Sequence, residues 1–307
     1  MMTPRLRIAA LAAILLVSAG AADDRDVLTI RFDETLPMKV NGVAGRMRVD
    51  PSALPRMFCN PDFAVRAQIV AQGRAALLSD PVDVFGSHGM VSLQLAGRAQ
   101  EVRANWFDRP YVEGADCVIA PEMIGVGAVR FTTGAATRGE RSVAMPLNPG
   151  GAASPDWNGA AATAVRVGDR DVGIGFTFLQ PGNIVTARAA TRIASAHGGR
   201  FAGDPVRVPS LSGRDRQLRR MVLGSPLQVG PLAVGEMQVR VTDWGFAGRI
   251  KPVDAVEEPV DPGEVTVTAN SEQTETFQRL MIGRDQLRRC ASIVVDFRAR
   301  EIRLTCG

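Results

Sequence analysis

The sequence predicts an all-β fold of two similar lobes facing across a cleft, and three observations predict it. Apolar–polar alternation of period two recurs along the chain. The turns between alternating runs carry Asn-Gly and similar pairs. One arrangement of strand, turn, strand and helix occurs twice.

The strands follow in order. Val27 to Phe32 (VLTIRF) alternates. Met38 to Val49 (MKVNGVAGRMRV) has Asn41-Gly42 at its centre, and Asn-Gly readily takes the positive φ of a two-residue hairpin. Val91 to Val102 (VSLQLAGRAQEV) reads as a second strand–turn–strand. Ile293 to Phe297 and Ile302 to Thr305 flank Arg298 to Glu301 and predict a terminal hairpin, with Ile293 opposite Cys306. Helices are few: Asp62 to Gln72 with Asp62 as its N-cap, Ala187 to His197, and Gly283 to Arg289. Residues 132–163, rich in Gly, Ala and Pro, read as a linker. Residues 245–273, with Pro252, Pro259 and Pro262 among acids, read as a large loop.

The internal repeat sets the domain organisation. The first copy is VNGVAGRMRVDPSALPRMFCNPDFAVRA from Val40. The second is VRVGDRDVGIGFTFLQPGNIVTARAATRIA from Val165. Each half later has an apolar pair, a small residue and a polar step: DCVIAPEMI from Asp116, and LMIGRDQL from Leu280. The expected lobes are 27–131 and 164–306.

Composition narrows the function classes. Apolar residues are 46% and charged residues 22%, which is globular. The net charge of +4 includes Arg5 and Arg7 in an acid-free N-terminal segment; without them 34 basic residues face 32 acidic ones, or +2. No basic block tracks a phosphate backbone, so nucleic-acid binding is not expected. The apolar run Ile8 to Val17 is too short to span a bilayer. Placed after Arg5 and Arg7 and before Ser18-Ala19-Gly20-Ala21, it reads as an export signal cleaved after Ala21. The signal is therefore 1–21, the expected location periplasmic or secreted, and no membrane span is expected after its removal.

Cys59, Cys117, Cys290 and Cys306 all follow the signal, and three pairings are open to them. The spacing favours Cys59–Cys117 and Cys290–Cys306, one bridge in each half. There is no Cys-x-x-Cys, and His88 and His197 are the only histidines, so no metal site is expected.

Three segments carry a family resemblance. Val49-Asp50-Pro51-Ser52-Ala53 closes a strand–turn–strand. Gly114-Ala115-Asp116-Cys117-Val118-Ile119-Ala120-Pro121 forms a later apolar strand. Met281-Ile282-Gly283-Arg284-Asp285-Gln286-Leu287 is followed by SIVVDFRAREIRL. Together they resemble the Asp-Thr-Gly-Ala, Gly-x-Asp-x-apolar-Ile-Gly and Ile-Gly-x-Asp-x-Leu segments of retropepsin-like and pepsin-like aspartic peptidases in a two-lobe form. The resemblance covers most of Val27 to Cys306. It implies two carboxylates, one from each lobe, that share a proton. One activates water and the other donates to the peptide carbonyl, with no cofactor.

Asp50 takes the first catalytic position, with Pro51 in place of Thr and Ser52 in place of Gly. Aligning Ala190 with Ala64 puts the second position at Thr177, with Phe178-Leu179-Gln180 for Thr-Gly-Ala. A rival register starts at Asp171 (DVGIGFT), but Asp171 belongs to the turn-like Gly168-Asp169-Arg170-Asp171. The resemblance thus implies a protein with a degenerate dyad that binds a peptide or protein without cleaving it. The alternative is an active aspartic endopeptidase using Asp50 with Asp171, or Asp50 in a dimer. Asp116, Asp285 and Asp296 read as loop anchors. Trp106, Trp157 and Trp244 read as lobe packing. Tyr111, the only tyrosine, lies outside the Val91 hairpin, which leaves the flap tyrosine of pepsin-like enzymes without a candidate; His88 precedes that hairpin.

Overall fold

The computed structural model describes residues 26–79, 82–133, 139–148, 161–209, 215–241, 247, 250–254 and 278–307. The export signal, Trp157, Trp244 and most of 245–273 lie outside the described residues.

The first half of the chain runs β1 (Val27–Arg31), β2 (Leu36–Val40), β3 (Val43–Val49), β4 (Met57–Cys59), α1 (Pro61–Arg66), β5 (Gly73–Ser79), β6 (Val82–Leu95), β7 (Arg98–Trp106), β8 (Cys117–Ile119) and β9 (Ala128–Thr132). The second runs β10 (Arg141–Pro146), β11 (Ala162–Val167), β12 (Arg170–Phe176), β13 (Ile184–Val185), α2 (Ala187–His197), β14 (Arg200–Pro209), β15 (Asp215–Val229), β16 (Leu232–Arg240), β17 (Arg279–Ile282), α3 (Arg284–Leu287), β18 (Cys290–Asp296) and β19 (Glu301–Cys306). The all-β fold is the one expected.

Two seven-stranded sheets share one plan. The first has the order β2-β3-β8-β4-β7-β6-β5, and the second β11-β12-β17-β13-β16-β15-β14. Corresponding neighbours also agree in direction: β3–β8 and β12–β17 are parallel, as are β4–β7 and β13–β16. In the first sheet β2 also pairs with β6, which closes six strands into a barrel. Each of these sheets with its helix is called a lobe below. A third sheet, β1-β9-β18-β19-β10, takes strands from both halves and joins them.

Local chemistry explains the elements. Asn41 and Gly42 both have positive φ, +50° and +83°, which gives the tight β2–β3 turn its hairpin-compatible twist. The two tight turns Ala96-Gly97 and Gly168-Asp169 close β6–β7 and β11–β12. Apolar residues that alternate along the strands, such as Met47 and Val49 on β3 and Val172 and Ile174 on β12, enter a core continuous across both lobes.

Several sequence expectations are corrected. The first helix is Pro61–Arg66 rather than 62–72, because Gln68 turns left-handed at φ +49° and the Ile69 amide bonds back to Ala64 O at 3.0 Å. Asn60, not Asp62, is its N-cap residue. The stretch 132–163 is not all linker: Arg141–Pro146 forms β10 and pairs with β19. In the terminal hairpin Ile293 faces Leu304 and Cys290 faces Cys306, with an irregularity between Cys290 and Ser292. Within 245–273, Ala247 and Ile250 are buried, and Phe201 exchanges backbone bonds with Lys251 and Val253 at 2.9 and 2.7 Å. Both favoured disulfides are present, Cys59–Cys117 and Cys290–Cys306, each between directly opposed residues of antiparallel strands.

Candidate functional site

Strands β3 and β12 end side by side in the two lobes, and the residue after each is held in the same way. Asp50 N donates to Ile119 O at 3.1 Å, and Thr177 N donates to Ile282 O at 3.0 Å. Two residues further on the match continues. Ser52 N donates to Asp50 Oδ1 at 2.8 Å, and Leu179 N donates to Thr177 Oγ1 at 3.1 Å. The helices that follow agree as well: Ala64 N bonds to Asn60 O, and Ala190 N to Thr186 O. Thr177 thus sits opposite Asp50 in equivalent backbone surroundings.

The two turns also bond to each other. Phe178 N donates to Asp50 Oδ2 at 2.7 Å, and Thr177 Oγ1 lies 3.3 Å from the same oxygen. Ser52 Oγ donates to Asp50 Oδ1 at 2.5 Å and lies 3.1 Å from Thr177 Oγ1. Ala161 N, just ahead of β11, donates to Pro51 O at 3.0 Å. Asp50 is fully buried, and Thr177 and Phe178 are 2% and 3% exposed. Burial pushes the Asp50 carboxyl above the usual aspartate range, against the bonds from Ser52, Phe178 and Thr177, which pull it down. Both carboxyl oxygens have protein neighbours on either side, which leaves the group no face toward solvent.

Asp171 lies elsewhere. It faces Arg166 at the turn end of β11–β12, makes an ion pair with it at 3.1 Å, and is 58% exposed. Six residues of extended strand, at about 3.3 Å each, separate it from Thr177. The structure does not bring Asp171 to Asp50.

Two of the three expected loop anchors are in place, whereas Asp285 lies exposed on α3 beside Arg284 and Arg288. Asp116 accepts from Arg46 N at 2.8 Å and from Arg66 Nη2 at 2.5 Å. Asp296 accepts from the amides of Arg298 and Ala299 in the terminal turn. Gly283, at the end of β17, allows a close approach: a Cβ there would meet Pro181 O and Gly182 O at 2.4 and 2.2 Å. His88 lies on β6, its Nδ1 3.2 Å from Arg74 O. Among the described residues, no cluster of His, Cys, Asp and Glu could hold a metal ion. No helix among them is long and apolar enough to cross a membrane.

The structure adds residues that the sequence did not single out. Asn60 ties down the β7–β8 loop: its Oδ1 accepts from Tyr111 N and Val112 N, and its Nδ2 donates to Val112 O and Ala115 O. That loop sets Tyr111 on Phe58, ring centroids 4.6 Å apart. The Tyr111 phenol is pushed up by burial and further by the nearby charge of Asp50. Glu122, in the 3-10 turn Pro121–Ile124, is pushed up to about 7 by burial. Phe178 was legible only as a replacement for Thr; nothing in its residue type announces an amide aimed at Asp50.

No family model matches the chain, and no curated protein matches it. Among solved structures it is similar to the EIAV protease in an inhibitor complex, with 13% identity, a TM-score of 0.25, and coverage of 30% of this chain and 85% of that one. It is similar to the simian foamy virus (mac) protease at 12% identity and a TM-score of 0.23, covering 30% of this chain and 92% of that one. It is also similar to the retroviral protease-like domain of Ddi1 from Leishmania major, at 17% identity and a TM-score of 0.21, covering 30% and 74%.

Proposed function

We propose that this is an exported, two-lobed retropepsin-like protein with a degenerate dyad, which binds a peptide or protein without cleaving it. The lobes are 27–131 and 164–306, the segment 1–21 is a removed export signal, and the product is periplasmic or secreted. Two disulfides fit an oxidising compartment.

The observation that carries the reading is the pairing of Asp50 with Thr177. Peptide hydrolysis by two carboxylates needs one to take a proton from water while the other gives one to the carbonyl. Opposite Asp50 stands a hydroxyl that does not titrate in water. Asp50 itself is buried and occupied by Ser52, Thr177 and Phe178, so no lone pair is left to orient an attacking water. The alternative of an endopeptidase using Asp171 has no geometric support, because Asp171 is paired with Arg166 at an exposed turn.

The test is incubation of the mature protein with an unfolded protein from acid to neutral pH, alongside equilibrium capture of peptides from a random library. The expected result is peptide capture with no new termini. Turnover that disappears in both Asp50→Asn and Asp171→Asn would overturn the reading, and so would a failure to retain any peptide.

A further inference from the structure

The strand register runs one matching row of residues across each lobe. In the first lobe Arg48 faces Val118, Val118 faces Phe58, Phe58 faces Asn105, and Asn105 faces His88. In the second, Gly175 faces Met281, Met281 faces Ile184, Ile184 faces Gln238, and Gln238 faces Arg220. Residues directly opposed on paired strands share a face of the sheet. Arg48 and Gly175 stand two residues before Asp50 and Thr177, so each row lies on the face that meets the junction.

The two faces then differ. In the first lobe Val118, Phe58 and Asn105 are 0%, 2% and 1% exposed. Tyr111 and Phe107 stack with Phe58, Leu77 and Val84 of the β5–β6 hairpin pack on the same cluster, and Leu179 joins it from the second lobe. The first lobe thus covers its own face with apolar side chains. In the second lobe Met281, Ile184 and Gln238 are only partly buried and Arg220 is exposed. Arg200, Arg216, Arg220 and Arg240 share the face of Gln238, and among the paired residues of β14, β15 and β16 on that face Glu236 is the one acid. Arg220 gives Nε and Nη2 to Glu236 at 2.9 and 2.6 Å, so the excess of positive charge comes from the other three. The corresponding first-lobe hairpin face has Ala75, Leu77, Val84 and Gly86, with no arginine or lysine. Asn105 and Gln238, at equivalent places in the two rows, each hold a buried side-chain oxygen that accepts no hydrogen bond. Asn105 is covered by its lobe, whereas Gln238 lies directly opposite Arg220 on the face left open.

We propose that the second lobe reads the peptide, and that the peptide carries an acidic side chain where it meets Arg216, Arg220 and Arg240. The inference rests on the peptide-binding reading above and adds the class of ligand. Both oxygens of a carboxylate accept, and a guanidinium donates in a planar fork, so the two groups fit each other. A peptide N–H beside the acidic residue supplies the donor that Gln238 Oε1 lacks, and an acceptor without a donor is costly to leave buried. A basic side chain brings neither bond and is repelled by the excess charge.

The experiment is equilibrium capture, by the full mature chain, of random-sequence peptide libraries with Glu, Gln or Lys fixed at the centre. The Glu library should be retained about tenfold more tightly than the Gln library, roughly what a charge-assisted hydrogen bond adds over a neutral one, and the Lys library least. Added salt should narrow the gap, because exposed charges are screened. Arg220→Gln combined with Arg240→Gln should remove the preference for Glu. His88→Gln, at the first-lobe counterpart of Arg220, should leave it unchanged. Equal retention of the three libraries by the wild-type chain, or a Glu preference that survives the double substitution, would overturn this inference alone. Retention of no library would overturn the peptide-binding reading with it. The comparison of libraries uses the wild-type chain, so it remains decisive even if the double variant misfolds.

Discussion

The amide of Phe178 donates to Asp50 Oδ2 at 2.7 Å while the Phe178 ring packs 4.5 Å from Phe32 and 5.0 Å from Phe131. One residue of the second lobe is therefore held by its backbone to an acid of the first, and by its side chain to the sheet that both halves share. Phe178 is a buried apolar plug at this junction, 3% exposed.

Phe178→Ala should destabilise the protein by about 3–5 kcal/mol, the usual cost of emptying a buried phenylalanine site. Denaturant unfolding measures it. A cost under about 1 kcal/mol would mean that the ring adds little to the junction.

Removing the Asp50 carboxyl altogether should cost more than replacing it by its amide. Asp50→Ala leaves the amides of both Ser52 and Phe178 without an acceptor, whereas Asp50→Asn keeps one oxygen. Each buried donor left unpaired costs about 1–3 kcal/mol, so the two variants should differ by that amount. Equal stabilities would show that the amides find other partners.

Glu122 should make stability fall as pH rises. Its folded value of about 7 is above its ordinary 4.5, so the folded state binds the extra proton between these values. Stability is greatest below 4.5 and is lost as pH climbs to about 7, by at most about 3 kcal/mol. Glu122→Gln should flatten that part of the profile. A wild-type profile unchanged by the substitution would exclude this group as its source.

Tyrosine absorbance reports Tyr111 alone, because the chain has one tyrosine. Burial and the Asp50 charge push its phenol above 10, so ionisation should wait for alkaline unfolding. Coincident absorbance and circular-dichroism transitions are expected. In Asn60→Ala, which frees the β7–β8 loop, the phenol should titrate nearer 10 before the fold is lost. Titration near 10 in the intact wild-type protein would contradict the packing.

The disulfides should differ in value. Cys59–Cys117 closes a separation of 58 residues and Cys290–Cys306 one of 16. Loop-closure entropy gives about 4 and 3 kcal/mol, respectively. Paired Cys→Ser variants, compared by denaturant midpoint, should keep that order.

The sequence by itself determined the strand content, the Asn41-Gly42 hairpin, the repeated unit and the alignment of Ala64 with Ala190. These rest on side-chain periodicity and on φ preferences, which act over a few residues and are written locally. It also placed both Thr177 and Asp171 as candidates for the second position. Choosing between them required the strand pairing, since the β11–β12 register puts Asp171 against Arg166 at the surface and carries Thr177 to the junction. Strand β10 was hidden because Arg141 to Pro146 sits in a Gly- and Ala-rich stretch and gains its place from an edge of β19, more than 150 residues away. The Asp50–Ser52–Thr177 contacts, the packing of Phe178 and the Asn60 anchor depend on tertiary structure. Each depends on backbone donors and acceptors that every residue carries, and only the meeting of distant chain segments determines which of them find one another.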